Sequence, residues 1–225
     1  MKTLICIPLF FLLLTTGCKQ YYTVTDFEEK TQTHQTIAVL PFEMVYTGVP
    51  PKDITEEDIQ RIEISESKAF QSSFFNAILA STRRGKSQLR VDLQHYSKTL
   101  NLLEQNGVGV KDSWSKDPAE LAKVLGVDAV VKAQIEKRRY MSDMASYGIE
   151  AGTQIISAIS RNRVLPYVNS RNKKVRTGFA LVNQEDGNAL WSISYDCDAD
   201  WRSTSDEIIE SINARSARRF PYRID

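Results

Sequence analysis

Hydrophobic residues cluster or alternate in five stretches of the chain, and each stretch predicts a β-strand. The apolar run Ile37–Phe42, which contains a proline, is typical of a strand that is covered on both faces of a sheet. In the other four stretches hydrophobic and polar residues alternate, which predicts strands with one buried face. They are residues 89–93, 128–140, 175–181 and 191–197. An Asp-Gly step at 186–187 separates the last two and predicts a hairpin turn.

A helical period of hydrophobic residues predicts four helices between and after these strands. The longest spans 55–84 and starts with a sequence that resembles a capping box. The best specified spans 117–126, with an aspartate as N-cap, a proline in its first turn and a glycine as C-cap. The other two are predicted at 97–105 and from Ser203 to a point before Pro221.

The order of these elements predicts one α/β domain in which helices pack on a mixed β-sheet. We expect this domain to span residues 36–225. Residues 18–35 are polar, rich in Thr and Gln, and lack a sustained period, so we expect a flexible tether there. A flexible stretch of about 17 residues has an r.m.s. span on the order of 20 Å, enough to hold a domain clear of lipid headgroups.

Residues 1–17 have the layout of a bacterial export signal peptide. A lysine follows the first methionine, residues 4–14 form an apolar run too short to span a bilayer, and the small residues 15–17 precede Cys18. This layout resembles a lipoprotein signal, in which Cys18 becomes the first mature residue and carries lipid such as palmitate. A lipobox usually has leucine at the place of Thr15. The alternative is an ordinary secretory signal; both interpretations send the chain out of the cytoplasm.

The charges of the chain argue against nucleic acid as a partner. The chain has 29 basic and 28 acidic residues, and because Lys2 lies in the leader, the mature chain has no net formal charge. Of the three cysteines, Cys6 leaves with the leader and Cys18 carries lipid, which leaves Cys197 without a disulfide partner. The stability of the domain is therefore expected to come from its core.

Two stretches resemble exported α/β domains of known bacterial families. Ile37–Phe42 reads IAVLPF, and Leu121–Ile135 combines a helix that ends in Leu-Gly with a strand that begins near Asp-Ala-Val. These features resemble the CsgG curli-secretion lipoproteins, the LpoB-type lipoproteins and the TolB N-terminal domain. The resemblance implies an α/β fold and an accessory role in envelope assembly through protein binding. It implies no shared catalytic residue.

One acidic stretch near the C-terminus has the spacing of a calcium loop. The carboxylates at places 1, 3, 5 and 12 of that loop are Asp196, Asp198, Asp200 and Glu207. Trp201 stands at place 6, where the sharp turn of a calcium loop requires glycine. The alternative is the solvent-facing side of a strand. We expect no cofactor or other metal, since His34 and His95 lack neighbours at ligand spacing.

The segment 142–159 predicts an amphipathic helix whose role the sequence leaves open. The hydrophobic residues close to one helical face include Met144, Tyr147, Ile155, Ile156 and Ile159. One interpretation is a helix packed on the sheet, and the other is an interface with a membrane or a partner subunit. Few basic residues lie within the segment, which argues against adsorption to anionic lipid.

These features together predict a lipoprotein anchored on the periplasmic side of the outer membrane, with the cell surface as an alternative location. Lys19 stands where an aspartate would resemble an inner-membrane retention signal. The domain is expected to be a non-enzymatic accessory component that binds envelope proteins during assembly or secretion. One alternative is an exported hydrolase or carbohydrate-active enzyme, which would bring Asp196, Asp198 and Glu207 together with His95. Another is a homo-oligomeric secretion component built through residues 142–159.

Overall fold

The computed structural model describes residues 19–47, 55–83, 88–137, 173–199 and 205–224. The strands in these ranges are β1 (Lys19–Thr23), β2 (Thr36–Val39), β3 (Glu43–Tyr46), β4 (Gln88–Leu89), β5 (Asp92–Leu93), β6 (Ala129–Lys137), β7 (Lys173–Asn183), β8 (Ala189–Ala199) and β9 (Arg223–Ile224). The helices are α1 (Phe27–Lys30), α2 (Glu56–Arg83), α3 (Tyr96–Gln105), α4 (Val110–Ser115), α5 (Pro118–Leu125) and α6 (Ser205–Ala217). Within these ranges, no helix is long and apolar enough to cross a membrane.

Seven strands form one mixed sheet in the order β1-β8-β7-β6-β2-β5, and β3 also pairs with β6. β2 is parallel to β5 and β6, and β3 is parallel to β6, whereas β7, β8 and β1 follow as antiparallel neighbours. A separate short pair joins β4 to β9. The predicted fold class, a single α/β domain with helices packed on a mixed sheet, is confirmed.

β2 and β3 act as one strand that is interrupted at Pro41. The register shifts by one between them, so that residues 40–42 oppose only residues 132–133 of β6. Such a two-for-three mismatch is a β-bulge, and proline favours it because proline has no N–H to offer the hydrogen-bond ladder. The loop predicted after the first strand therefore contains a further strand, β3.

The sheet carries a hydrophobic core on each face. On one face it packs against α2 and α6, with Phe70, Phe74 and Trp191 fully buried. On the other face α3 and α5 pack near Ala38 and Val130. Successive side chains of a strand point to opposite faces, so the apolar run that contains β2 supplies both cores.

The link from α5 to β6 has the geometry that its sequence predicts. The Asp117 carboxylate accepts a hydrogen bond from the Ala119 N–H at 2.8 Å, and Gly126 takes a left-handed conformation with φ of 64°. The Asp128 carboxylate then accepts the N–H groups of Gln35 and Thr36 at 2.7 and 2.8 Å. One short turn thus ends the helix, starts β6 and holds the beginning of β2.

The predicted flexible tether at 18–35 is wrong, because the chain is part of the folded domain from Lys19 onward. β1 pairs with β8 over five residues, starting with Lys19 opposite Tyr195. In α1, Phe27 is only 6% exposed and belongs to the core that α2 covers. A strand at a sheet edge is held by main-chain hydrogen bonds, so polar residues form it without a hydrophobic period.

Other elements agree with the sequence or refine it. The hairpin of β7 and β8 is confirmed, and Gly187 in its turn has a φ of 69°. α2, α3, α5 and α6 lie where helices were predicted. The strand predicted at 89–93 is instead two short strands, since β4 pairs with β9 and β5 pairs with β2. α4 and β9 were not predicted.

Candidate functional site

Several residues that the sequence singles out lie outside the described residues. They are Cys18, Asp200, Met144, Tyr147, Ile155, Ile156 and Ile159. The described chain stops at Lys137, where β6 ends, and resumes at Lys173, where β7 begins. Both points lie toward the end of the sheet at which β1 begins, which we call the Lys19 end, and in register Lys137 and Lys173 lie two and four positions beyond Lys19. The lipidation site and the amphipathic interface stay predictions.

The predicted calcium loop falls partly within β8. Asp196 and Asp198 lie in this strand, opposite Arg176 and Lys174 of β7. The Arg176 Nε lies 3.4 Å from a carboxylate oxygen of Asp196, and Glu207 is exposed in α6. Among the described residues, no three His, Cys, Asp or Glu side chains are placed to hold a metal ion together. The extended course of β8 fits the alternative of a solvent-facing strand.

The two histidines lie apart from each other and from the acidic residues of β8. His34 shares a hydrogen bond with the Tyr222 hydroxyl, and His95 is the N-cap of α3, where its Nδ1 accepts the Ser97 N–H at 3.3 Å. His95 follows β5 at one edge of the sheet, and β2, β6 and β7 separate β5 from β8. Four strand spacings place β5 about 19 Å from β8. His95 and Asp196 therefore do not form the cluster that a hydrolase would require.

α3 and α5 cover one face of the sheet near Ala38 and Val130. On the same face, beside the covered part, lie two adjoining depressions of about 480 and 350 Å³. We call this part of the sheet, which the described helices leave uncovered, the open face. Its side chains form three rows across β6, β7 and β8, which are Lys132–Ala180–Ser192, Gln134–Gly178–Ser194 and Glu136–Arg176–Asp196. Tyr22 of β1 lies opposite Ser192 and extends the first row.

The centre of the open face is polar and uncharged. Ser192 and Ser194 are half-buried, and Gln134 is exposed. Their hydroxyl and amide groups are both donors and acceptors of hydrogen bonds. Tyr22 is 51% exposed at the border of this polar centre and offers an aromatic ring.

Charged groups of the open face lie at its borders, and four of them contact neighbours, while Glu43 of β3 adds a further negative charge at the edge of the larger depression. In the third row, Arg176 lies 3.6 Å from a Glu136 carboxylate oxygen and 3.4 Å from one of Asp196. In the first row, the Lys132 Nζ donates a hydrogen bond to the Trp114 carbonyl at 2.6 Å. These contacts hold the charges beside the neutral centre.

Gly178 lies at the middle of the open face, and the fold of the described chain does not require a glycine there. Its φ is not positive, and a Cβ placed on it would meet no atom within 4 Å. Glycine within a strand weakens it and often marks a place where a ligand or another backbone approaches closely. Among the described residues, the space above Gly178 is therefore free for a molecule that rests on the sheet.

The sequence shows the polar face of these strands but not that it is open. Small and polar residues alternate with hydrophobic ones along β7 and β8, as in Trp191-Ser192-Ile193-Ser194. That alternation indicates which side chains share a face. It does not reveal that α3 and α5 pack over only part of this face, or that Tyr22 borders it.

Comparison with known proteins gives similar structures at low sequence identity. No protein-family model matches the chain, and no curated protein matches it. The PelC dodecamer from Paraburkholderia phytofirmans is 13% identical, with 90% of this chain and 96% of that chain covered and a TM-score of 0.46. Lipoprotein GNA1162 from Neisseria meningitidis is 14% identical, with 82% of this chain and 96% of that chain covered and a TM-score of 0.43.

The C-terminal domain of LpoB from Escherichia coli is also similar, at 13% identity and a TM-score of 0.34, with 74% of this chain and 84% of that chain covered. An LpoB structure is thus among the similar ones, as the sequence resemblance implied. The CsgG part of that resemblance stays a prediction.

Proposed function

We propose that the chain is a non-enzymatic lipoprotein, anchored by lipid on Cys18 to the periplasmic side of the outer membrane, that binds other envelope components through its open face. The observation that carries this proposal is a leader with the layout of a lipoprotein signal, placed directly before a strand of the domain. The role in binding is supported by an open, polar sheet face next to that strand.

The position of β1 determines how such an anchor would hold the domain. Cys18 is the residue before Lys19, and β1 is paired with β8 from Lys19 onward. One extended residue spans at most about 3.6 Å, compared with about 20 Å for the tether that the sequence predicts. Lipid on Cys18 would therefore hold the Lys19 end of the sheet close to the headgroups, with the ends of β7 and β8 nearest to them.

Binding is favoured over catalysis by the kind of groups on the open face. Its two serines have no described histidine beside them, because His34 and His95 contact other parts of the fold. Its carboxylates, on Glu136 and Asp196, lie close to one arginine. A hydrolase needs a nucleophile and a base within hydrogen-bond reach of each other, and these residues do not provide that pair.

The lipid anchor is tested by Cys18→Ala, with Cys197→Ala as the matched control at the other mature cysteine. Cells that express each full-length variant are fed an alkyne analogue of palmitate, and the membrane fraction is extracted with detergent. We expect label and membrane retention for the wild type and for Cys197→Ala, and loss of both for Cys18→Ala. If Cys18→Ala stays quantitatively in the membrane fraction or keeps the label, the proposed anchor is wrong.

A further inference from the structure

We infer that the open face binds an uncharged oligosaccharide, with one pyranose ring packed on Tyr22 and a later ring of the same chain lying over Gly178, two strands away. This inference rests on the proposed function, which makes the open face the binding surface. It goes further by naming the chemical class of the ligand.

The polar centre fits a glycan better than a protein partner. Protein interfaces have centres enriched in aromatic residues, methionine and arginine, and depleted in serine. At the centre of the open face the side chains are instead those of Ser192, Ser194, Gln134 and Gly178. A sugar presents several hydroxyl groups at once, and these hydroxyls and amides match it as donors and acceptors.

Tyr22 provides the apolar surface that a pyranose ring also needs. One side of such a ring presents C–H groups, which pack on an aromatic face, while the hydroxyls at its rim reach polar neighbours. Tyr22 is 51% exposed and lies directly across the strand pair from Ser192. An aromatic ring beside a hydroxyl group is thus available at the edge of the larger depression.

The absence of a side chain at Gly178 leaves a depression in the surface of the sheet, in which a ligand can lie. A side chain at this position would fill the space where the two depressions adjoin, since both are lined by Gly178, Gln134 and Ser194. The two volumes, about 480 and 350 Å³, lie in the range of small-molecule sites. A short oligosaccharide can therefore lie across both without displacing protein atoms.

The arrangement of charge favours a neutral ligand. Arg176 lies between Glu136 and Asp196, and Lys132 is bonded to a main-chain carbonyl. A charged sugar would have to compete with these contacts, whereas an uncharged one leaves them intact. The remaining border residue, Glu43, lies opposite Gln134 on β3.

The test uses the full-length lipoprotein, purified in a detergent without a sugar headgroup. Isothermal titration measures the binding of chitotetraose, and the cationic glucosamine tetramer is the comparator with the same linkage. We expect binding of chitotetraose that is weakened about tenfold or more by Tyr22→Ala and by Gly178→Gln, and about fivefold by Ser194→Ala. The glucosamine tetramer should bind more weakly.

The matched control is Val124→Ala. Val124 is an exposed apolar residue of α5 and lines neither of the two depressions. This variant should bind chitotetraose within about twofold of the wild type. Gly178→Ala checks the fold, because an added methyl group meets no described atom and should leave the urea midpoint unchanged or higher.

Three results would overturn the inference. They are absence of chitotetraose binding by the wild type, binding that the Tyr22 and Gly178 variants leave unchanged, and tighter binding of the cationic tetramer. Self-association that Gly178→Gln abolishes, measured by light scattering without glycan, would also overturn it, by making the open face an interface between copies. None of these results affects the lipid anchor, which the Cys18 variants test separately.

Discussion

At the scale of single residues, a small polar cluster joins the two ends of the described chain. The Arg90 guanidinium lies 6.0 and 5.5 Å from the ring centroids of Phe27 and Tyr222, and it contacts Glu28 at 2.5 Å. Burial raises the pKa of the Tyr222 hydroxyl, which stays neutral and shares a hydrogen bond with His34. The cluster thereby fixes the segment before β2 against the C-terminal residues.

His34 should make the stability of the protein depend on pH. Burial lowers its pKa from the ordinary value of 6.5, against the opposing charge of Asp128. Below pH 6.5 the unfolded chain therefore binds a proton more readily than the folded one, and stability falls as the pH decreases. We expect the urea midpoint to drop more between pH 8 and pH 5 for the wild type than for His34→Gln. An equal drop would contradict this assignment.

At the scale of elements, residues 19–35 consist of an exposed part and a buried part. Tyr21 and Tyr22 of β1 are about half exposed, and the strand pairs with β8 through its main chain over five residues. α1 is different, because Phe27 enters the core and Thr31 is fully buried with its hydroxyl bonded to the Phe27 carbonyl at 2.7 Å. The segment is thus held most firmly at α1.

Phe27→Ala distinguishes a folded segment from a tether. Removal of a buried phenylalanine side chain should cost about 3 kcal/mol of unfolding free energy. Tyr22→Ala is the control, because Tyr22 is half-exposed in β1, and it should change the free energy of unfolding by less than about 0.5 kcal/mol. Urea denaturation of both variants measures the difference. Equal stability of Phe27→Ala and wild type would mean that this segment contributes nothing to the fold.

At the scale of the whole molecule, the ends of the sheet differ in what they connect to. At the Lys19 end, β1 begins one residue after Cys18, and β6 and β7 border residues 138–172. At the opposite end lies the hairpin turn with Gly187, near α5. If lipid is attached at Cys18, the first end faces the bilayer and the hairpin turn points away from it.

This orientation is tested by energy transfer from single dyes to acceptor-labelled headgroups in vesicles. The dyes are placed at Thr47→Cys, beyond the end of β3, and at Glu185→Cys in the hairpin turn; both positions are exposed. Because β7 is 11 residues long, the two sites differ in height by about 35 Å if the strands stand upright. We expect strong transfer from position 47 and weak transfer from position 185.

The background for both dyes carries Cys197→Ala, so that each dye has a single site. Insertion of ten Gly and Ser residues between Cys18 and Lys19 should reduce transfer from position 47, since the added chain lets the domain move away from the headgroups. Equal transfer from both dyes in the uninserted protein would show that the sheet does not stand on its Lys19 end.

Local signals in the sequence were sufficient for the best specified elements. The aspartate, proline and glycine around α5 act on their own neighbours, so the helix was predicted with both ends and the following strand β6 with its start. β1 and β3 lacked such signals, because each depends on pairing with a strand more than 90 residues away in sequence. The open face was missed for the same reason.

The sequence by itself determined the α/β class, the four main helices and the hairpin, because hydrophobic period and capping residues act over a few positions. It also provides the prediction of an exported, lipid-bearing chain. Only the tertiary structure decided that residues 19–35 belong to the domain and that the described helices leave the face around Gly178 uncovered. Both depend on which distant segments meet in one sheet and how far the helices extend over it, and a one-dimensional pattern does not contain that information.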